Sequence, residues 1–198
     1  MIKLVIFDNY GVVLHGGYPS TTEYLAKRFN RNQKEIYEIF YKKYFNLAAE
    51  AKITQTEAWR RAIEETNLPL TVEEVKKIHY HFFELNLPII EFVKEINDKV
   101  NVLLLTKNTL EQIDAAEEKL RFKQYFPNMM NTWELRLSKA SKETISYVLE
   151  KFGVYPSEVI YIDDQKENLT AAAEMGVNTI LFENFLEVKK KVLSLLNQ

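Results

Sequence analysis

Residues 159–182 read VIYIDDQKENLTAAAEMGVNTILF. Val159–Ile162 is a short apolar run of the kind that forms a strand buried on both faces of a parallel sheet. Two acids, Asp163 and Asp164, follow at its carboxyl end. A helical stretch then spans about Asn168 to Met175, with Gly176 just beyond it where a left-handed cap is expected. Thr179–Phe182 returns to strand character. Strand, helix and strand at this spacing make a βαβ unit, and ligands of such sheets gather at the carboxyl ends of the strands. The acid pair therefore stands on the ligand-binding rim.

Working outward, similar apolar runs occur at residues 2–7 (IKLVIF) and Val100–Leu105. Helical patterns run from about Leu110 to Leu120 and from Lys142 to Phe152, the latter ending before Gly153. The whole predicts an α/β fold with a doubly wound, Rossmann-like parallel sheet. Between Pro19 and about Leu87 the pattern changes to helices with no strand. Ser20-x-x-Glu23, Thr54-x-x-Glu57 and Thr71-x-x-Glu74 each have the form of a capping box. Tyr37, Phe40, Tyr41, Tyr44 and Phe45 fall on one face of a single helix, an aromatic stripe that reads as bundle core. A further helix opens at Pro88, since proline is accommodated in a first turn. The expected organisation is a core of residues 1–15 and 88–198 interrupted by a helical insertion, residues 16–87. Gly16 and Gly17 would give the entry to that insertion its backbone freedom.

The 198 residues include 46% hydrophobic and 27% charged side chains, an ordinary globular balance. A formal net charge of −2 supplies no field for nucleic acid or an anionic membrane. Lys189, Lys190 and Lys191 alternate with Leu186, Val188, Val192 and Leu195 as the solvated face of an amphipathic helix. With no cysteine, disulfides, thiolate metal sites and a cysteine nucleophile are excluded. The N-terminal apolar run is short, broken by Asp8 and Asn9, and lacks a cleavage site; nothing reaches the length of a membrane span. A cytoplasmic location is expected.

Polar residues collect at the predicted strand ends. The first strand leads into Asp8, Asn9, Tyr10 and Gly11, the second into Thr106, Lys107 and Asn108, and the third into Asp163 and Asp164 with Asn168 a turn later. Lys139 and Lys142 precede the intervening helix. A carboxylate nucleophile, a hydroxyl, an ammonium and an acid pair would meet on one rim. Three carboxylates together need a compensating cation, and their hard oxygens suit Mg²⁺. His79 and His81, two apart on a helix, diverge and do not suggest a shared metal. His15 lies in the loop after the first strand.

These stretches resemble the motifs of the haloacid dehalogenase superfamily over nearly the whole chain. IFDNYGVV is similar to the first motif, LLLTKNT to the second, SKASKETISYVLEKFGV to the third and residues 159–182 to the fourth. In the third, Lys139 aligns with the motif lysine, while Ala140 and Lys142 stand where prolines are common and Arg136 where a glycine is common. The helical insertion resembles the cap of the family's first subclass. The resemblance implies that Asp8 attacks an electrophile to form a covalent aspartyl intermediate. Thr106 and Lys139 would hold the transferred group, with Lys107 and Asn108 completing a substrate-binding set. Asp8, the Tyr10 backbone carbonyl, Asp163 and Asp164 would surround Mg²⁺, with Asp163 slightly favoured as the direct acidic ligand, Asp164 either ligating or orienting Lys139, and Asn168 supporting the loop.

One residue departs from the phosphatase pattern. Two positions after the nucleophile, phosphatases of this family carry an Asp as general acid and base; here it is Tyr10, a proton donor but a poor base at neutral pH. Dehalogenases of the family have Asp-x-Tyr-Gly at this point, yet work without a metal and lack the Asp-Asp pair. They also use a cap arginine, for which Arg28, Arg31, Arg60 and Arg61 stand in by position only. Weighing the acid pair above Tyr10, the expectation is a Mg²⁺-dependent hydrolase of a small phosphorylated metabolite. The alternatives are a metal-independent 2-haloacid dehalogenase and a weakly catalytic or non-catalytic binder of a phospho-ligand or protein.

Overall fold

The computed structural model describes residues 1–197. The strands are β1 (Leu4–Asp8), β2 (Leu14–His15), β3 (Glu84–Leu85), β4 (Asn101–Thr106), β5 (Asn128–Asn131), β6 (Val159–Asp163) and β7 (Asn178–Leu181). The α-helices are α1 (Gly17–Phe29), α2 (Gln33–Tyr37), α3 (Asn46–Ala49), α4 (Gln55–Thr66), α5 (Val72–His81), α6 (Leu87–Asn97), α7 (Leu110–Leu120), α8 (Thr132–Leu135), α9 (Lys142–Phe152), α10 (Lys166–Glu174) and α11 (Phe185–Leu196). The chain divides into two compact units. One comprises Met1–Leu14, Leu85–Lys107 and the chain from Phe122 onward; the other comprises His15–Glu84 and Asn108–Arg121. The helical unit thus includes α7 as well as the segment after β1, and its limits are set by packing rather than by the insertion points read from sequence. The two-stranded ribbon β2–β3 lies where the chain leaves one unit and returns, so the stretch from Pro19 to Leu87 does contain one short strand.

In the first unit, five strands form a parallel sheet in the order β5-β4-β1-β6-β7. All five residues of β1 are buried, as a central strand of apolar residues requires. Alternation sends Leu4, Ile6, Leu103, Leu105, Val159 and Tyr161 to one face, where they pack with Ile145 and Val148 of α9 and Leu169 and Ala172 of α10. Helix α6, opening with proline in its first turn as expected, packs against β4 and α11. The strand β5 (NMMN) escapes pattern reading: two asparagines enclose only two methionines, too little apolar sequence to register. It is held in place by the neighbouring strand, with the Asn128 amide donating to the Val102 carbonyl at 3.1 Å.

In the helical unit, the aromatic stripe is buried core at Phe40, Tyr41 and Phe45. The segment is not one α-helix, however: α2 passes through π-helical turns at Glu38–Phe45 into α3. Rings four residues apart stack there, Tyr41 on Phe45 with centroids 5.3 Å apart. Of the three capping boxes, that of Thr71 and Glu74 is complete. Thr54 caps α4, but Glu57 turns away to Arg60 and Arg61. Ser20 lies inside α1, which starts from Gly16 at φ 92°. There a β-carbon would collide with the Phe82 carbonyl, so glycine is required by space as well as by φ.

A neutral polar network runs through this unit. The Tyr18 hydroxyl oxygen accepts from the Gln55 and Gln112 amides, each at 3.0 Å, and Thr109 donates to Gln55 at 3.2 Å. Thr21 gives its single hydroxyl proton to the Gly17 carbonyl at 2.7 Å, so its 2.9 Å contact with His79 is donated by Nδ1–H. His79 is therefore the neutral Nδ1–H tautomer, and burial pushes its pKa down to about 3. A histidine that resists protonation only when folded removes stability as pH falls below the unfolded value of about 6.5, and continues to do so down to the folded value. Between pH 7 and pH 5 this single group is expected to cost about 2 kcal/mol. Urea unfolding at the two pH values should show that loss in the wild type and a correspondingly flatter dependence in His79→Gln.

Candidate active site

β1 and β6 run parallel in a register that pairs Phe7 with Ile162. One residue further on, Asp8 and Asp163 end the two strands side by side. β4 on the other flank pairs Leu105 with Asp8, so Thr106 stands one residue beyond the level of Asp8. Thr106 is 1% exposed. The loop after Asp8 is closed by the Asn9 carbonyl, which accepts from the Val13 and Leu14 amides, both at 2.8 Å. Tyr10, half-buried, bridges Leu14 in that same loop.

Lys139 arrives from the turn before α9. The Ser138 carbonyl accepts from the Ser141 amide at 3.0 Å and from the Thr144 hydroxyl at 2.7 Å, while Ser141 caps α9 by accepting from the Thr144 amide. This brace needs no proline, so Ala140 and Lys142 leave the turn intact. Arg136 adopts φ 57° as the cap of α8, the left-handed conformation that glycine favours. The Lys139 side chain is almost wholly buried; its ammonium donates to Asp8 Oδ1 and lies 2.8 Å from Asp163 Oδ2.

The acid pair divides into two environments. Asp163 has no exposed surface. Its Oδ1 accepts from the Gln165 amide at 2.8 Å and from Asn168 Nδ2 at 3.0 Å; its Oδ2 accepts from the Tyr161 hydroxyl at 3.0 Å as well as meeting Lys139. A carboxylate has about four lone-pair sites, and here all are spoken for. Asp164 is exposed. Its carboxylate lies directly over Gly11, where a β-carbon would overlap it. Gly11 also has φ 98°, which a side chain would strain.

Asp8, Asp163 and Asp164 each offer an oxygen within 4.8 Å of the others, the one such group of metal-capable side chains among the described residues. Burial pushes the Asp8 carboxyl up to about 8; Asp163 adds to this and Lys139 opposes it. For Lys139, burial works against the charge, but Asp163 and Asp8 raise its pKa well above the ordinary lysine range. The ammonium is charged, and the site carries more negative charge than it neutralises.

Other sequence candidates fall elsewhere. Lys107 is half-buried beyond Thr106 in the first unit, whereas Asn108 belongs to the helical unit and is buried there. Lys142 pairs with Glu174 at 2.7 Å. Arg31, Arg60 and Arg61 are taken up by ion pairs within the helical unit, and Arg28 lies over the Phe29 ring. His79 is core and His81 exposed. Tyr161 escaped sequence reading because a tyrosine in an apolar strand looks like core filling; its place two residues before Asp163, on the same strand face, was the available signal. No helix among the described residues is long and apolar enough to cross a membrane.

A family model described as haloacid dehalogenase-like hydrolase matches residues 6–182. A D-ribitol-5-phosphate phosphatase of Bacteroides thetaiotaomicron is 22% identical over 206 residues, covering 100% of both chains. Among solved structures, a HAD family enzyme of the same organism, in complex with magnesium and inorganic phosphate, has a TM-score of 0.73 at 20% identity, covering 91% of this chain and 94% of that one. The L-2-haloacid dehalogenase of Xanthobacter autotrophicus, with chloropropionic acid covalently bound, has a TM-score of 0.70 at 15% identity, covering 98% and 83%. At these identities the structural likeness speaks for the fold and not for a substrate. On the family match, this chain belongs to the haloacid dehalogenase-like hydrolases.

Proposed function

We propose that the protein is a Mg²⁺-dependent phosphatase of a small phosphorylated metabolite, working through an aspartyl-phosphate on Asp8. The observation that carries this reading is the convergence of Asp8, Asp163 and Asp164 around a single lysine. With all three acids ionised, Lys139 leaves two negative charges uncompensated, which fits one divalent cation, and the donors are hard oxygens of the kind Mg²⁺ takes. Asp8, Asp164 and the Tyr10 backbone carbonyl would hold it, since the Asp163 oxygens are already committed to Lys139, Tyr161, Asn168 and Gln165. This reverses the order of preference within the acid pair that sequence suggests. When bound, the cation would neutralise charge developing on the phosphoryl oxygens.

The chain's own groups supply the remainder. Lys139 opposes the burial that favours a neutral Asp8, a bound cation would oppose it further, and the ionised Asp8 attacks phosphorus as the bond to the leaving alcohol breaks. Lys139 and Thr106 hold the transferred oxygens, and Tyr10 can give the leaving oxygen its proton. Water then attacks phosphorus and returns a proton to Tyr10, the bond to Asp8 breaks, and inorganic phosphate departs. That second step lacks the carboxylate base usual two residues after the nucleophile, so turnover is expected to be slow. The phosphatase among the relatives and the neighbour with magnesium and phosphate bound support the reading. Tyr10 itself favours a second one, attack on the carbon of a 2-haloacid, and the covalent chloropropionate complex of a dehalogenase with this fold gives that reading its precedent.

Hydrolysis of p-nitrophenyl phosphate is expected to require Mg²⁺ and to fall about 10³-fold or more in Asp8→Asn. Chloride release from 2-chloropropionate in the presence of a chelator would replace this reading with the dehalogenase; Mg²⁺-dependent stabilisation with neither activity would leave a binding protein. Tyr10→Asp is expected to raise the phosphatase rate about 100-fold by restoring a base. In calorimetric titration with Mg²⁺, Asp164→Asn should weaken binding about tenfold more than Asp163→Asn. The opposite order would return Asp163 to the metal.

A further inference from the structure

Beneath the site, Tyr161 carries a hydroxyl that a phenylalanine at this position would not need to satisfy. The residue is fully buried among Leu4, Ile6, Val159 and Leu169, where its ring fills space as any aromatic would. Burying the hydroxyl is costly unless it is hydrogen-bonded. Its partner is specific: it donates to Asp163 Oδ2 at 3.0 Å, the same oxygen that the Lys139 ammonium approaches at 2.8 Å. The ammonium also lies 6.0 Å from the Tyr161 ring centroid. On the other side of the carboxylate, Oδ1 is fixed by the Gln165 amide and the Asn168 side chain.

Asp163 is thereby held at both oxygens, and rotation of its carboxylate would break at least one of these bonds. Without the Tyr161 hydroxyl, Oδ2 keeps Lys139 as its principal donor and is free to follow it. The ammonium is then less tightly placed between Asp163 and Asp8. We propose that Tyr161 is a positioning residue, whose hydroxyl acts through Asp163 to hold the Lys139 ammonium against Asp8. Its kinetic consequence rests on the phosphatase reading, because Lys139 there holds oxygens of the transferred group and small misplacements of such a group slow the chemical step.

The test is Tyr161→Phe in the full chain, a change that keeps the ring and removes one oxygen. Lysine ammonium protons held by two buried carboxylates exchange slowly enough with water to be followed by ¹⁵N-lysine NMR, and Lys139→Met assigns the signal. Exchange of the Lys139 ammonium is expected to quicken about tenfold in Tyr161→Phe, while Mg²⁺ affinity stays within twofold of wild type. With p-nitrophenyl phosphate and saturating Mg²⁺, kcat is expected to fall about tenfold with KM within twofold, the pattern of a misplaced catalytic group. Unchanged ammonium exchange overturns the proposal whatever kcat does, as does the lack of a protected Lys139 signal in the wild type. Parallel losses of Mg²⁺ affinity, melting temperature and kcat also overturn it, because they mark a general loosening of the strand end. A wild type that binds Mg²⁺ without turnover defeats the phosphatase reading alone, since the exchange measurement still decides the role of Tyr161.

Discussion

The Lys139 ammonium, buried between Asp8 and Asp163, is the interaction on which the rest of the site depends. Burial drives the Asp8 carboxylate toward its neutral form, and a neutral Asp8 is no nucleophile. The ammonium alone would be as costly to bury. Held between Asp8 and Asp163 the ammonium remains charged: burial and attraction pull the pKa of Lys139 in opposite directions, and attraction prevails. Such an arrangement contributes little net stability compared with an apolar core of the same volume. Its value is that it keeps a charged carboxylate in place at the end of a strand.

Most of the architecture serves to assemble that triplet from distant parts of the chain. The parallel register of β1 and β6 sets Asp8 and Asp163 level without any loop having to find the geometry. The serine and threonine brace before α9 delivers Lys139 to the same edge. The first is a long-range pairing whose strand ends are marked locally, and the second is a local helix cap. This is why both could be read from the sequence as strand ends and helix starts. Residues 110–120 and 142–152 form the helices their periodicity predicts, because a 3.6-residue pattern with a terminal cap is local information.

What the sequence hid was non-local or energetic. The strand β5 has too few apolar residues to register alone and forms because β4 offers it a partner. The α7 helix belongs by packing to the helical unit although it follows β4 in the chain. The π-helical turns between α2 and α3 break the single helix expected there, although Phe40, Tyr41 and Phe45 of the aromatic stripe are still buried. Asp163 and Asp164 look interchangeable as letters. Only burial separates them, one saturated by four protein donors and the other exposed over Gly11.

That separation also bears on what Tyr10 changes. On the proposed mechanism the groups that would place and charge Asp8 are Lys139, Asp163 and, through it, Tyr161; none of them depends on the residue two after Asp8. Tyr10 would enter where a proton must be given to a leaving group or taken from water. A halide leaves carbon without needing a proton, whereas an alkoxide leaving phosphorus does need one. Asp8 could therefore serve either electrophile, and the proposed reading rests on the acid pair. A carbon centre losing halide presents no phosphoryl charge for a divalent cation to neutralise. A site with three carboxylates and one ammonium has the charge to hold that cation. On the phosphatase reading, the cost of a phenol in the acid–base position would then fall on release of the intermediate rather than on its formation.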